Sequence, residues 1–171
     1  LPDALDDYGD VAGLELYRAT AAHMASHMMY SSAPISAEGL SPAQMFFIGL
    51  IEDARVEYKA IKEFPGLKKL WRSLMGVPSE NPPEHRSMPI LEKFSLMLLD
   101  DSVSSDDAEL NAFAQQFHQG IEQKQDNNHF CMILGLELFN LFAARKEVPS
   151  LRILERIDIP YRDDNRYVWE F

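Results

Sequence analysis

Glu52, Asp53, Arg55 and Glu57 lie within six residues of one another, directly after the almost wholly apolar stretch Phe46-Phe47-Ile48-Gly49-Leu50-Ile51. At helical spacing Asp53 and Glu57 stand one turn apart on the same edge of an apolar face, while Glu52 and Arg55 pair along its other side. Charges so close to an apolar stripe are expected to be partly buried, and buried charges need partners. Two partners stand upstream, His23 and His27, also four residues apart. The six side chains are therefore expected to form one polar cluster between two helices.

Other chemistry is conceivable for the same residues. His23-Met24-Ala25-Ser26-His27 has the spacing at which two imidazoles on one helix meet a single metal ion, with Glu52 or Glu57 as a third ligand. Zinc peptidases of that pattern place a glutamate after the first histidine to activate water; here the residue is Met24, which accepts no proton. Two readings stay open: core histidines hydrogen-bonded to Glu52, Asp53 or Glu57, and a degenerate zincin-like metal-binding domain without peptidase activity. Asp100-Asp101-Ser102-Val103-Ser104 matches the Asp-x-Ser-x-Ser metal motif of von Willebrand factor A domains. That motif needs a buried strand before it, whereas the preceding residues have a helical period, so a helix end and a polar loop are expected. No phosphate-binding loop, nucleophile motif or cofactor signature is present, so no cofactor is expected; Cys131 lies in an apolar run and reads as core.

The elements that must position these groups read as helices. Ser41, Pro42 and Gln44 form a start signal for a helix over 41–63 whose stripe is Phe47, Leu50, Ile51, Ala54, Tyr58 and Ile61. An earlier helix over 11–30 has its main apolar stripe at Leu14, Tyr17, Ala21, Met24, Ala25 and Met28; being apolar nearly all round, it should be central. Leu67-Lys68-Lys69-Leu70-Trp71 opens a short helix stopped at Gly76. A proline-rich loop over 77–89 follows, then helices over 90–99, 106–124, 128–145 and 150–157. With no run of strands, the expectation is all-α, one domain over 1–171 with six to seven helices. The most apolar helix, 128–145, is too short for a membrane span and carries Glu137 and Asn140.

Composition bounds the partners. A net charge of −11 opposes nucleic-acid binding. A single cysteine and no leading signal sequence fit a reducing, cytoplasmic compartment. Lys59, Lys62, Lys68, Lys69 and Arg72 make a basic strip that is either a solvated face or a docking surface for an acidic partner. The chain starts at Leu1 and ends at Phe171 without a tail, which suggests a fragment of a longer protein.

Several stretches together resemble a family. Ala22-His23 with His27, Gly39-Leu40-Ser41-Pro42-Ala43-Gln44, Ile51-Glu52-Asp53-Ala54-Arg55-Val56-Glu57, Phe64-Pro65-Gly66-Leu67-Lys68-Lys69-Leu70-Trp71 and Pro160-Tyr161-Arg162-Asp163-Asp164-Asn165-Arg166-Tyr167-Val168-Trp169 are similar to nitric-oxide-reductase activation proteins of the NorD type and to CbbO-type accessory subunits of Rubisco activase. The resemblance covers about residues 20–75 and 158–170. It implies the helical region ahead of a C-terminal von Willebrand factor A domain. It also implies an adaptor role beside a hexameric MoxR-type AAA+ ATPase, with Rubisco placed ahead of nitric oxide reductase as client. The family's metal site belongs to the A domain and does not transfer to Asp100, Ser102 and Ser104.

Overall fold

A computed structural model describes the chain except Asp3, Ser32, Pro78, Ser79, Glu80, Asp158 and Asp164. Pro78 of the proline-rich loop and Asp164 of the late motif thus lie outside the described residues. The fold is all-α. In chain order the helices are α1 (Gly13–Tyr30), α2 (Pro42–Glu63), α3 (Gly66–Met75), α4 (Ser87–Leu99), α5 (Ala108–Lys124), α6 (Asn128–Ala144) and α7 (Leu151–Leu154). A parallel pair of two-residue strands, β1 (Ile35–Ser36) and β2 (Trp169–Glu170), joins the α1–α2 connection to the C-terminal segment, with Ile35 opposite Trp169 and Ser36 opposite Glu170.

Helix α2 begins as its sequence dictates. Ser41 Oγ accepts from the Gln44 amide at 3.3 Å, the Gln44 side chain accepts from the Ser41 amide at 2.8 Å, and Pro42 occupies the first turn. Every residue from Phe47 to Glu57 is buried, so the helix is enclosed on all sides rather than amphipathic. Its main partner is α6, and the two backbones meet at Gly135: a Cβ there would stand 2.6 Å from Ile48 Cα. Phe47, Leu50, Ile51 and Ala54 share a core with Phe94 and Leu98 of α4, Phe117 of α5 and Leu138 of α6.

Helix α1 turns a different face inward from the one its apolar residues suggest. Leu16, Ala19, His23, Ser26 and His27 are buried, while Leu14 and Met28 of the expected stripe are 60% and 73% exposed. The helix is peripheral, not central, because its histidine face is the one that answers the buried carboxylates of α2. Leu16 and Ala19 pack in a second core with Ala60, Trp71, Leu74 and Tyr161, and the Trp71 indole N–H donates to the Ala19 carbonyl at 3.1 Å.

Other boundaries shift for local reasons. Gly76 ends α3 with φ −83°, a right-handed conformation, so its freedom to adopt a left-handed one is not used. Helix α4 starts at Ser87, three residues before the expected position, and Pro89 is accommodated in its first turn, where no N–H is needed. Helix α7 is shorter than 150–157 because its end tightens into i→i+3 bonds, Ile153 O to Arg156 N at 3.0 Å and Leu154 O to Ile157 N at 3.2 Å. The strands, too short to carry a period, left no signal in the sequence. Yet their pairing returns the C-terminal segment across α1 and α2.

Gly135→Ala should destabilise the chain by about 1–3 kcal/mol in urea denaturation, because the new methyl meets backbone that has nowhere to move. Gly66→Ala, with open space around its Cβ position, should leave the midpoint nearly unchanged.

Candidate functional site

Helices α1 and α2 each present two ionisable groups one turn apart, and the two ladders face each other. His27 Nε2 lies 2.9 Å from Asp53 Oδ1, and His23 Nε2 lies 3.3 Å from the same oxygen. On its other side the His23 ring sets Nδ1 3.2 Å from Glu57 Oε1. Both His23 contacts are at ion-pair distance, but neither is aligned as a hydrogen bond. The C-terminal segment closes the cluster from a third direction. Arg162 donates Nε and Nη2 to the two Glu57 oxygens, each at 2.9 Å, and Asn165 Nδ2 donates to Asp53 Oδ2 at 3.2 Å. Arg162 Nη1 stands 3.6 Å from that oxygen.

Two local features admit this approach. Asn165 adopts a left-handed backbone (φ 56°), which asparagine tolerates. It also passes so close to α2 that a Cβ on Gly49 would lie 3.0 Å from Asn165 Nδ2. Tyr161 and Trp71, stacked with centroids 5.6 Å apart, put their rings against the His23 imidazole, which has no solvent exposure.

A second pair adjoins the first. Arg55 Nε donates to Glu52 Oε2 at 2.8 Å, and its other nitrogens donate to the carbonyls of Gln125 at 2.6 Å and Tyr30 at 2.7 Å. Ser31 Oγ donates to Glu52 Oε1 at 3.1 Å and lies 3.1 Å from His27 Nδ1. The six residues singled out in the sequence are thus joined in one network. Sequence reasoning missed the roles of Arg162, Asn165, Ser31 and Tyr161 within it. Charge balance pointed to the first: Glu52, Asp53 and Glu57 are three acids within six residues of one buried helix, with only Arg55 on that stretch to offset them.

Burial alone would raise both carboxyls and lower the imidazole. The Arg162 charge and the histidine contacts reverse this for Asp53 and Glu57, holding both below the ordinary carboxylate range. The close contacts and negative charge of Asp53 and Glu57 likewise outweigh the burial of His23 and raise it to about 9. Two strongly acidic carboxyls and a proton-bearing imidazole make poor general bases near neutrality. Burial pushes the Cys131 thiol and the Tyr161 hydroxyl well up. Neither group is therefore an activated nucleophile.

One further arrangement within the cluster bears on metals. His23, His27 and Asp53 each offer a ligand atom, all within 4.8 Å of one another. Asp53, Arg162 and Asn165 also line a cavity of about 510 Å³ whose remaining wall is largely apolar, with Phe46, Leu154 and Trp169.

The basic strip is only in part a free surface. Lys59 pairs with Asp126 and lies over the Tyr30 ring at 4.9 Å. Arg72 pairs with Asp100, and Lys68 lies 3.6 Å from the same carboxylate, which is buried. Asp100 Oδ1 also accepts from the Ser102 amide and hydroxyl at 3.0 and 2.7 Å, so Asp100-Asp101-Ser102 is a helix-ending turn. Lys62 and Lys69 remain exposed, Lys62 over the Tyr58 ring at 5.6 Å. No helix among the described residues is long and apolar enough to cross a membrane. No family model, curated protein or solved structure matches the chain.

Glu57→Ala leaves Arg162 and His23 facing each other in the interior and should cost about 3–5 kcal/mol in chemical denaturation; Arg55→Ala, which strands Glu52, should cost a similar amount. Stability should also depend on pH at both ends, measured by melting with chelator present. Because His23 is raised from 6.5 to about 9, its contribution, of order 3 kcal/mol, is complete below pH 6.5 and is lost as pH rises towards 9. Because Asp53 and Glu57 are lowered from 3.8 and 4.5, their contribution is complete above about pH 4.5 and is lost as pH falls towards their depressed values. A His27→Gln chain should keep the acid limb.

Proposed function

We propose that the chain is the helical adaptor domain of an activase complex, working beside a MoxR-type AAA+ ATPase hexamer on a client enzyme. Rubisco is the first client and nitric oxide reductase the second. ATP hydrolysis belongs to the partner subunit. One observation carries this reading. Residues from motif stretches far apart in the chain — His23 and His27, Glu52 to Glu57, Arg162 and Asn165 — meet in a single buried ion network. Residues used in this way build a frame. With the reactive groups sealed inside, recognition falls to the surface.

The exposed lysines Lys62 and Lys69 are the part of the basic strip fitted to an acidic partner, because Lys59, Lys68 and Arg72 are engaged by Asp126 and Asp100. Reversing Lys68 would set a carboxylate against the buried Asp100 and confound binding with folding. The useful variant is therefore Lys62→Glu/Lys69→Glu.

In a pull-down at low salt the chain should retain the ATPase or the client. The double reversal should weaken retention severalfold while the melting temperature stays within a degree, and added salt should shrink the difference. The chain alone should turn over neither ATP nor peptides. Failure of the wild-type chain to retain either partner at low salt would remove the adaptor assignment.

A further inference from the structure

We propose that His23 Nε2, His27 Nε2 and Asp53 Oδ1 form a buried binding site for a divalent transition-metal ion of the zinc class, which staples α1 to α2. The inference is independent of the adaptor reading and rests on geometry. Atoms sharing a zinc ion at about 2.0–2.2 Å stand roughly 2.9–3.4 Å from one another in tetrahedral or five-coordinate sites. The two histidine nitrogens lie 2.9 and 3.3 Å from Asp53 Oδ1, inside that span, and the three ligand atoms are within 4.8 Å of one another, so the two imidazoles need close on the ion by no more than about 1 Å.

The partners of the opposite ring nitrogens strengthen the assignment. Metal-bound histidines hold their second ring nitrogen against a carboxylate or another acceptor, which orients the ring. Here His23 Nδ1 faces Glu57 Oε1 at 3.2 Å. Ser31 Oγ gives its one proton to Glu52, so at 3.1 Å from His27 Nδ1 it serves that ring as acceptor. Both rings therefore spend Nδ1 as the donor and turn Nε2 towards a single carboxylate oxygen.

Two imidazole nitrogens aimed at one oxygen need either two protons or one dication between them and it. A divalent ion meets both nitrogens and the oxygen at once. It also tolerates the His23 Nε2 contact, which is too poorly aligned to serve a proton well. Asp53 Oδ2 is occupied by Asn165 and Arg162, which leaves Oδ1 to the ion. Imidazole ligands favour zinc, cobalt or nickel over magnesium and calcium.

The test uses the chain purified without chelators, then stripped with EDTA and titrated with Zn²⁺, Co²⁺ or Mg²⁺. Elemental analysis should find about one zinc per chain. Zinc but not magnesium should raise the melting temperature, and Co²⁺ should give the visible absorption of a low-coordinate nitrogen and oxygen site. Ser31→Ala, which keeps all three ligands, should weaken zinc binding about 10–100-fold. His27→Gln should abolish binding where the variant folds; if it does not fold, the Ser31→Ala affinity and the cobalt spectrum decide. No zinc uptake by the folded, stripped chain, a cobalt spectrum of octahedral aquo type, or unchanged affinity in Ser31→Ala would each overturn the site.

Discussion

The carboxylate of Asp53 is the point at which this fold is tied. It is charged, nearly sealed from solvent, and answered from two other parts of the chain: the histidines of α1, and Arg162 with Asn165 of the C-terminal segment. A buried charge left without partners costs several kcal/mol, so neither part can leave without exposing the other to that penalty. The consequences reach outward. The histidine face of α1 must turn inward, the C-terminal segment must cross α2 where Gly49 leaves room, and the β1–β2 pair closes that path.

Ion networks of this kind do not exceed a well-packed apolar core in stability. What they add is selectivity among arrangements of similar burial. The opposite face of α1 offers Leu14, Met24 and Met28 and would satisfy a hydrophobic core just as well, yet two of the three stay exposed. A packed alternative using those residues would leave Asp53 and Glu57 without their imidazoles. Polar pairing thus decides between helix faces that hydrophobicity leaves nearly equivalent. The aromatic pair Trp71 and Tyr161 then excludes water from His23 and strengthens every interaction around it.

The same logic sorts the surface. Asp100 is buried at the end of α4, and Lys68 and Arg72 of α3 cover it; these cations serve packing before they serve any partner. Burying the chemically versatile groups and engaging part of the basic strip leaves a chain whose outward character is set by a few lysines and a largely acidic exterior. The proposed recognition role and the proposed ion inside the frame both rest on that division.

The amino-acid sequence by itself determined the helices, because the causes act within a turn or two: the capping box of Ser41 and Gln44, the caps at Asp107 and Asn127, the apolar period of α2 and the breaks at Pro65 and Gly76. It also marked Glu52, Asp53, Arg55, Glu57, His23 and His27 as groups that must find partners, since their spacing beside apolar residues is a local property. Only the tertiary structure decided who those partners are. Arg162 meets Glu57 across 105 positions of chain, Lys68 and Arg72 reach Asp100 while staying part-exposed, and α1 rotates its histidines inward at the expense of a more apolar stripe. No local period encodes these choices. They follow from desolvation, which is felt only when distant segments have closed over the charge and each ion must be matched by whichever opposite group the packing brings within reach.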